Sequence, residues 1–504
     1  AIPAEIGGGF GGKTIVYLEP VATMLAKKSG RPVKMAMTRE EVMRASGPTS
    51  GSMSTVRIGA KKDGTITAAQ GTWYLQAGGL PGSPIRGAAG CSFAPYDIPN
   101  VHSKGYDVVS NRSKAAAYRA PGAPIGAFSV ESVLDEVAEA IGMDPLELRL
   151  KNAAREGTKA AHGPTFGRIG FAETIEAALA HPHSKAALDK TSGKPQGRGV
   201  ASGFWFNAGG ESSAQVNITE DGNVVVTTGH PDIGGSRASI ANITAELLGI
   251  DYNRVSVLIG DTATIGFSNL TGGSRVLFAS GIVVTQSTEK IIADLKKRAA
   301  MIWQTESDQV VWEGGVARRS GGDDVLTLEE LAARATETGG PIGAGVQLNT
   351  TGAASGFATQ ICDVEVDIEL GIVRVLRHTC FQDVGRAVHP SYVEGQMQGG
   401  MAQGIGWALN EEYIFNAEGQ VDNPGFLDYR MPVCSDLPML DAVMIEVPNP
   451  AHPQGVRGVG EAPLVPALAA VRNAVYDALG IRFDSLPMSP PKVLAALDMK
   501  QAAE

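Results

Sequence analysis

Alternating apolar and polar residues mark three pairs of strands. The runs are VRIGAKKDGTITAAQ (56–70), VNITEDGNVVVTT (216–228) and CDVEVDIELGIVRVLRH (362–378). The first two turn at an Asp-Gly pair and the third near a glycine. Such pairs between alternating runs are typical of tight hairpin turns, which need positive φ. We therefore predict three β-hairpins.

Apolar residues at helical spacing predict further elements between these hairpins. The predicted helices cover about 124–141, 236–248, 276–299, 390–409 and 464–479. Residues 1–6 are predicted as a strand, followed by a glycine turn and an amphipathic helix that Gly30 and Pro32 end. Strand pairs followed by helices favour an α+β fold with mixed sheets and flanking helices. A polar stretch near residues 180 to 195 separates two predicted domains, 1–180 and 195–504.

Composition narrows the class of protein. The chain has 504 residues, of which 43% are hydrophobic and 19% charged, as in soluble globular proteins. The net charge of -10 and the lack of long basic runs argue against nucleic-acid binding. No apolar run of membrane-spanning length occurs, so no membrane span is predicted. The four cysteines are far apart, which favours a reducing cytoplasm and gives no iron–sulfur or zinc cradle.

Glycine is unusually frequent, with 63 residues of 504. Gly7 to Thr14 fit the P-loop pattern of nucleotide hydrolases. The Mg²⁺-holding strand that such proteins need has one candidate, VSVLIGD (255–261), which Ser256 and Gly260 interrupt. The loop by itself offers backbone N–H groups to an anionic ligand, and a purely structural glycine turn is equally consistent with it.

Five more glycine-rich segments follow the first. They are AAAYRAPGAP (115–124), TTGHPDIGGSRAS (227–239), LTGGSRVLFASG (270–281), VEGQMQGGMAQGIGW (393–407) and HPQGVRGVGEAPL (452–464). Several backbone loops with amide side chains suit an extended polar cofactor that carries phosphate and heterocyclic rings. In this order the segments resemble the molybdenum-binding large subunit of the xanthine dehydrogenase and aldehyde oxidase family, from Ile6 to about Pro490.

The resemblance implies two molybdopterin-binding domains. Residues 1–180 would be the C-terminal part of the first, which is incomplete, and residues 195–504 the second. The implied activity is insertion of water-derived oxygen at an electron-poor carbon of an N-heteroaromatic or aldehyde substrate. The pterin holds the metal, so no protein ligand to it is expected.

The resemblance also assigns residues. Those similar to cofactor-contacting positions are Gly9, Phe10, Gly11, Arg119, Gly234, Gly235, Thr271, Gly272, Gly273, Ser274, Arg275, Gln403 and Gly460. Glu461 is similar to the catalytic base, and Arg119 is expected to orient substrate or stabilise negative charge. Considered alone, Glu461 also suits a helix N-terminus, and Arg119 a surface ion pair. Aromatics in GFWF (203–206) suit either a substrate funnel or the core.

Three departures from the family pattern bear on the substrate or on the cofactor contacts. Thr14 stands where purine-oxidising members carry a glutamate, which disfavours xanthine. Gly234 replaces a glutamine that many members carry, so one amide contact to the cofactor is missing or replaced. Ala120 replaces the cysteine of copper-dependent carbon monoxide dehydrogenases, which disfavours that activity.

The expected partners supply the parts that members of the family have and that this chain does not show. A separate polypeptide is expected to complete the first domain, and iron–sulfur and flavin (FAD) subunits to accept the electrons. The preferred cofactor is the cytosine dinucleotide of molybdopterin. The competing hypotheses are a P-loop nucleotide hydrolase and a non-catalytic member that only binds cofactor.

Overall fold

A computed structural model of the protein describes residues 1–503, and within them four β-sheets carry packed helices. The strands are β1 (Ser52–Ala60), β2 (Ile66–Gly78), β3 (Val101–Val109), β4 (Gln196–Trp205), β5 (Gly210–Ile218), β6 (Val224–Thr228), β7 (Val255–Ile259), β8 (Val310–Glu313), β9 (Val316–Arg319), β10 (Val325–Thr327), β11 (Ile342–Thr350), β12 (Gly356–Asp367), β13 (Ile372–Asp383) and β14 (Leu440–Ile445). The helices are α1 (Glu19–Ser29), α2 (Arg39–Ala45), α3 (Ile85–Cys91), α4 (Ala123–Ile141), α5 (Pro145–Lys151), α6 (Phe171–Ala180), α7 (Pro182–Lys185), α8 (Ser236–Leu248), α9 (Val276–Trp303), α10 (Leu328–Ala333), α11 (Pro390–Leu409), α12 (Ala467–Leu479) and α13 (Pro490–Ala503).

Most predicted elements are confirmed. The three hairpins are the antiparallel pairs β1–β2, β5–β6 and β12–β13. The five predicted helices are α4, α8, α9, α11 and α12. The last of them begins later than predicted, because Pro466 occupies its N-cap and a 3-10 turn, Ala462–Leu464, precedes it.

The opening segment differs from the prediction. Residues 1–6 form no strand; the backbone of Ala1 instead accepts a hydrogen bond from the N–H of Thr262, at 3.0 Å. Helix α1 begins only at Glu19 and ends at Gly30, which has a φ of 65° as a C-cap. Its apolar residues Val21, Met24 and Leu25 are exposed, so its predicted apolar face has no cover among residues 1–503.

The first sheet belongs to the N-terminal region and has the order β1-β2-β3. Strand β2 pairs antiparallel with β1 and parallel with β3, which makes the sheet mixed, as predicted. Its inward residues Trp73 and Leu75 are fully buried in a core that includes Val130 and Leu134 of α4. Helix α4 also packs on α12 and β4, so the two regions share buried surface.

Two four-stranded sheets build the C-terminal region, with the orders β14-β13-β12-β4 and β11-β5-β6-β7. Helix α12 lies close on β4, where a Cβ at Gly197 would come within 2.3 Å of the Ala474 carbonyl oxygen. Helix α6 packs on β12 and β13, just before the predicted domain boundary at 180 to 195, which stays a prediction.

Helix α9 is long and apolar enough to cross a membrane by length and composition. It packs against β5, β11 and α8, and residues such as Val283 and Leu295 are fully buried there. This burial is typical of a core helix in a globular fold.

Candidate cofactor and active site

A cavity of about 380 Å³ lies where the glycine-rich segments meet. Of the residues assigned from sequence, its lining includes Phe10, Gly11, Arg119, Gly234, Thr271, Gly272, Gly273, Ser274, Arg275, Gly460 and Glu461. Its volume falls in the range of pockets that hold cofactors and small ligands. The separated glycine segments therefore converge on one cavity.

Glu461 presents its carboxylate to this cavity. One oxygen, Oε1, accepts a hydrogen bond from the Ala120 N–H at 2.8 Å, and Oε2 accepts one from the Ser274 hydroxyl at 2.9 Å. Although Glu461 precedes a 3-10 turn, its side chain makes no capping hydrogen bond to it. Burial raises the pKa of Glu461, while these two hydrogen bonds and nearby Arg119 oppose the rise. The carboxylate thus lies on the cavity wall and does not cap the following helical turn.

Arg119 lies directly behind Glu461 and is only 4% exposed. Its Nε donates to the Gly460 carbonyl at 2.5 Å, Nη1 to Gln403 Oε1 at 2.9 Å and Nη2 to the Gln396 carbonyl at 2.7 Å. Burial lowers the pKa of Arg119 to about 10. The guanidinium therefore joins the N-terminal region to α11 and to the loop of Glu461, in place of the surface ion pair that a lone arginine favours.

Three non-glycine residues around the carboxylate have left-handed backbones. They are Phe10 (φ 48°), Ala120 (φ 56°) and Ser274 (φ 56°). Each such residue costs about 1–3 kcal/mol unless its surroundings hold it, and such strain clusters at functional sites. Here the Phe10 carbonyl accepts from the Arg119 N–H at 2.8 Å, and the other two residues donate to Glu461. The strain is therefore concentrated within one hydrogen-bonded group.

The GGGFGGKT loop reaches the cavity at Phe10, Gly11 and Thr14. Gly11 has a φ of 102°, and a Cβ there would lie 2.5 Å from the Ala117 carbonyl oxygen, so only glycine fits. Lys13 is exposed outside the cavity lining, and α1 starts only at Glu19. A P-loop needs its lysine and a helix N-terminus at the phosphates, so the nucleotide-hydrolase hypothesis is not favoured.

The DIGGS and TGGSR segments form the opposite wall. Gly234 has a φ of 71°, and a Cβ there would come within 3.0 Å of the Gln396 amide. Gly235 lies next to the ring of Tyr392, where a Cβ would come within 2.7 Å of a ring atom. Arg275 donates to the carbonyls of Gly209, Leu270 and Glu211, which fixes the second loop.

Some residues stand differently from what the sequence indicates. Gly9, Gly235 and Gln403 lie outside the cavity lining, and Gln403 accepts from Arg119. The lining also includes residues that received no role from sequence: Arg386, His389, Tyr392 and Arg457. It further includes Trp205 of GFWF and Gln396 of the glycine-rich segment 393–407. Within GFWF, Phe204 and Trp205 both belong to one buried apolar cluster, and of the two only Trp205 also lines the cavity.

The lining fits an anionic, polar cofactor. Four arginines lie in the lining: Arg119, Arg275, Arg386 and Arg457. Arg386 pairs with Glu246 at 2.6 Å and Arg457 with Asp383 at 3.0 Å, so Arg119 and Arg275 bring most of the unmatched positive charge. The glycine loops bring backbone close to the cavity. Asn207, beside this wall, donates to the Ser274 carbonyl at 2.6 Å, while its Oδ1 is buried without a hydrogen-bond partner. Among residues 1–503, no three His, Cys, Asp or Glu side chains gather to hold a metal.

Sequence comparison assigns this site to a class of protein. Two models of the molybdopterin cofactor-binding domain match the chain, over residues 1–153 and 173–438. The cavity lies between these two matched parts, with Phe10 and Arg119 from the first and Gly234 and Ser274 from the second. The protein is thus a molybdenum–pterin-binding protein.

Individual relatives narrow the class. The putative xanthine dehydrogenase molybdenum-binding subunit XdhA of Escherichia coli K12 is 32% identical over 97% of this chain and 68% of its own length. The aldehyde oxidoreductase structure from Desulfovibrio gigas matches with a TM-score of 0.84 and 28% identity, over 98% of this chain and 54% of that one. The CO dehydrogenase structure from Oligotropha carboxidovorans shares the fold, with a TM-score of 0.91 and 22% identity, over 100% of this chain and 68% of that one.

The chain belongs to the family of molybdenum-binding subunits of xanthine dehydrogenases and aldehyde oxidoreductases. It is therefore a subunit of a molybdenum-dependent oxidoreductase. The predicted family and the α+β fold with two molybdopterin-binding domains are confirmed.

Proposed function

We propose that this subunit hydroxylates an electron-poor carbon of an N-heteroaromatic or aldehyde substrate, with Glu461 as the general base. The observation that supports this most directly is the Glu461 carboxylate on the cavity wall, held at both oxygens by Ala120 and Ser274. A fixed carboxylate on the wall of the cavity that would hold the cofactor has the position that a general base needs. Burial raises the pKa of Glu461 toward neutral pH, and a general base is most effective when its pKa lies near the working pH.

The cofactor in this proposal is molybdopterin cytosine dinucleotide. The bound molybdenum–pterin supplies the oxygen-transfer chemistry and accepts the electrons. Gly234, Gly273 and Gln396 would hold its pterin end, and Arg386 and Arg457 its phosphates. A neighbouring cavity of about 450 Å³ shares Arg386 with the first, which supports room for an extended dinucleotide.

Arg119 acts in this proposal by fixing the base and by its charge. Three of its five N–H groups are used by Gly460, Gln403 and Gln396. The remaining donors and the buried positive charge would stabilise negative charge that develops in the cavity.

The test is Glu461→Gln in the assembled complex, with Glu394→Gln on the exposed face of α11 as the control. We expect Glu461→Gln to lose turnover while molybdenum and pterin content stay at the wild-type level. The control should keep both. Substantial turnover by Glu461→Gln would contradict the assignment of the base, and absence of bound molybdenum–pterin in the wild type would contradict the function.

We also propose that iron–sulfur and FAD subunits carry the electrons away, in the cytoplasm, and that a partner polypeptide packs on α1. The exposed apolar residues Val21, Met24 and Leu25 of α1 support a covering partner. Hydrogen exchange in the assembled complex should show protection of the α1 amides relative to the isolated subunit. Equal exchange in both would contradict a partner at this surface.

A non-catalytic cofactor-binding role is the alternative. Turnover of a panel of heterocycles and aldehydes with a dye acceptor separates the two functions and identifies the substrate class. Since Thr14 lines the cavity where a glutamate would grip purines, we expect xanthine to be a poor substrate.

A further inference from the structure

Trp205 carries a buried hydrogen-bond donor beside the Glu461 carboxylate that has no partner of regular geometry. It is the last residue of β4, lines the cavity beside Glu461 and is 8% exposed. Its indole N–H is buried and has no hydrogen-bond partner among residues 1–503. By contrast, the indole N–H of Trp312 donates to the Leu248 carbonyl at 2.9 Å.

An unpaired buried donor carries a cost. Leaving such a group unsatisfied costs about 1–3 kcal/mol, and folded proteins leave few of them without a reason. The Trp205 ring belongs to the buried apolar cluster of the first core, and the ring centroid of Phe206 lies 5.1 Å from its own. The indole therefore has little freedom to turn toward another acceptor.

The neighbouring carboxylate is already engaged. Glu461 Oε1 accepts from Ala120 and Oε2 from Ser274. The Trp205 indole lies close enough to this carboxylate to lower the Glu461 pKa, but its N–H makes no hydrogen bond of regular geometry to it. A ligand placed for attack next to Glu461 would therefore lie against the Trp205 ring. The unused N–H is available to an acceptor atom on that ligand.

We propose that Trp205 Nε1–H donates a hydrogen bond to the acceptor atom adjacent to the reacting carbon of the substrate. This inference rests on the proposed function, because aldehydes and N-heteroaromatics both carry such an acceptor: a carbonyl oxygen or a ring nitrogen. The donor would select substrates that have this atom over carbocyclic analogues of the same shape. It would also withdraw electron density from the carbon that is attacked.

The experiment compares quinoline with naphthalene, which has the same shape but lacks the ring nitrogen. Their dissociation constants are measured on the assembled, cofactor-loaded complex for wild type, Trp205→Phe and Trp73→Phe. Trp73 is the matched control, because its indole N–H is equally unpaired but is buried in the first-domain core, outside the cavity lining.

We expect Trp205→Phe to lower the quinoline preference over naphthalene by about ten-fold, the value of one hydrogen bond of about 1.4 kcal/mol. Trp73→Phe should leave the preference unchanged. An equal preference in Trp205→Phe and wild type, or no preference in wild type, would overturn the inference. Bound molybdenum–pterin is assayed in the same samples, and its absence would reject the proposed function separately.

If Trp205→Phe does not assemble, benzothienylalanine placed at position 205 alone keeps the ring shape and lacks the N–H. It should show the same loss of preference, and an unchanged preference would again overturn the inference.

Discussion

Replacement of Arg119 by lysine tests how the site is held together. The guanidinium bonds three acceptors in three directions: the carbonyls of Gly460 and Gln396 and the side chain of Gln403. A lysine ammonium is a point charge on a flexible stem and lacks the planar fork of arginine. We expect it to keep one of these hydrogen bonds and lose two.

The magnitude follows from those two bonds. A hydrogen bond to a charged group contributes about 1.5–3 kcal/mol, so two give about 3–6 kcal/mol. Water entering from the cavity replaces part of this loss, which places the expected destabilisation near the lower end, about 3 kcal/mol. That is a large fraction of a typical free energy of unfolding of about 5–15 kcal/mol.

The assay is urea unfolding of purified Arg119→Lys, with Arg57→Lys as the control, since Arg57 is exposed on β1. The control should change stability by less than about 0.5 kcal/mol. A urea midpoint for Arg119→Lys equal to that of the control would refute the reasoning that Arg119 joins the N-terminal region to α11 and the loop of Glu461.

Three further outcomes are expected. Ser274→Ala removes a donor to the Glu461 carboxylate, so the pKa of Glu461 rises further and the acidic limb of the pH–rate profile moves to higher pH, while an unmoved limb would contradict this role. Burial lowers the pKa of His378 to about 3 and of His230 to about 4, so below about pH 6.5 the unfolded chain binds more protons. The urea midpoint should therefore decrease as the pH is lowered from 6.5 to 4. Each histidine lowers the free energy of unfolding by about 1.4 kcal/mol per pH unit, and a flat profile would exclude this cause. Glu131→Gln breaks a buried pair with an arginine at 2.8 Å, so it should cost about 3–5 kcal/mol in the same assay, and a cost below 1 kcal/mol would count against it.

Local elements could be predicted because their causes are local. An Asp-Gly pair sets the turn of β1–β2, and helical spacing sets α8 and α11 to their observed bounds. Residues 1–6 were wrongly predicted as a strand, because a short alternating run specifies no partner strand.

The composition of the site was less accessible from sequence. Glu461 and Ser274 are 187 positions apart, and nothing local indicates that they meet. Both Phe204 and Trp205 lie in the buried core but only Trp205 also lines the cavity, and this depends on how the strand is set in its sheet. Even the polar stretch near His183 conceals a fully buried imidazole, 2.8 Å from Thr379, because its partner lies on β13.

The cavity has walls from both matched parts of the chain, and Arg119 joins them through its hydrogen bonds to Gln403 and Gln396. A molecule enclosed between two walls departs only when they separate. The residence time of the cofactor is then set by how often the protein opens there, and each bond across that boundary slows release. By mass action, a tightly bound cofactor in turn disfavours opening and stabilises the contact between the two parts of the chain.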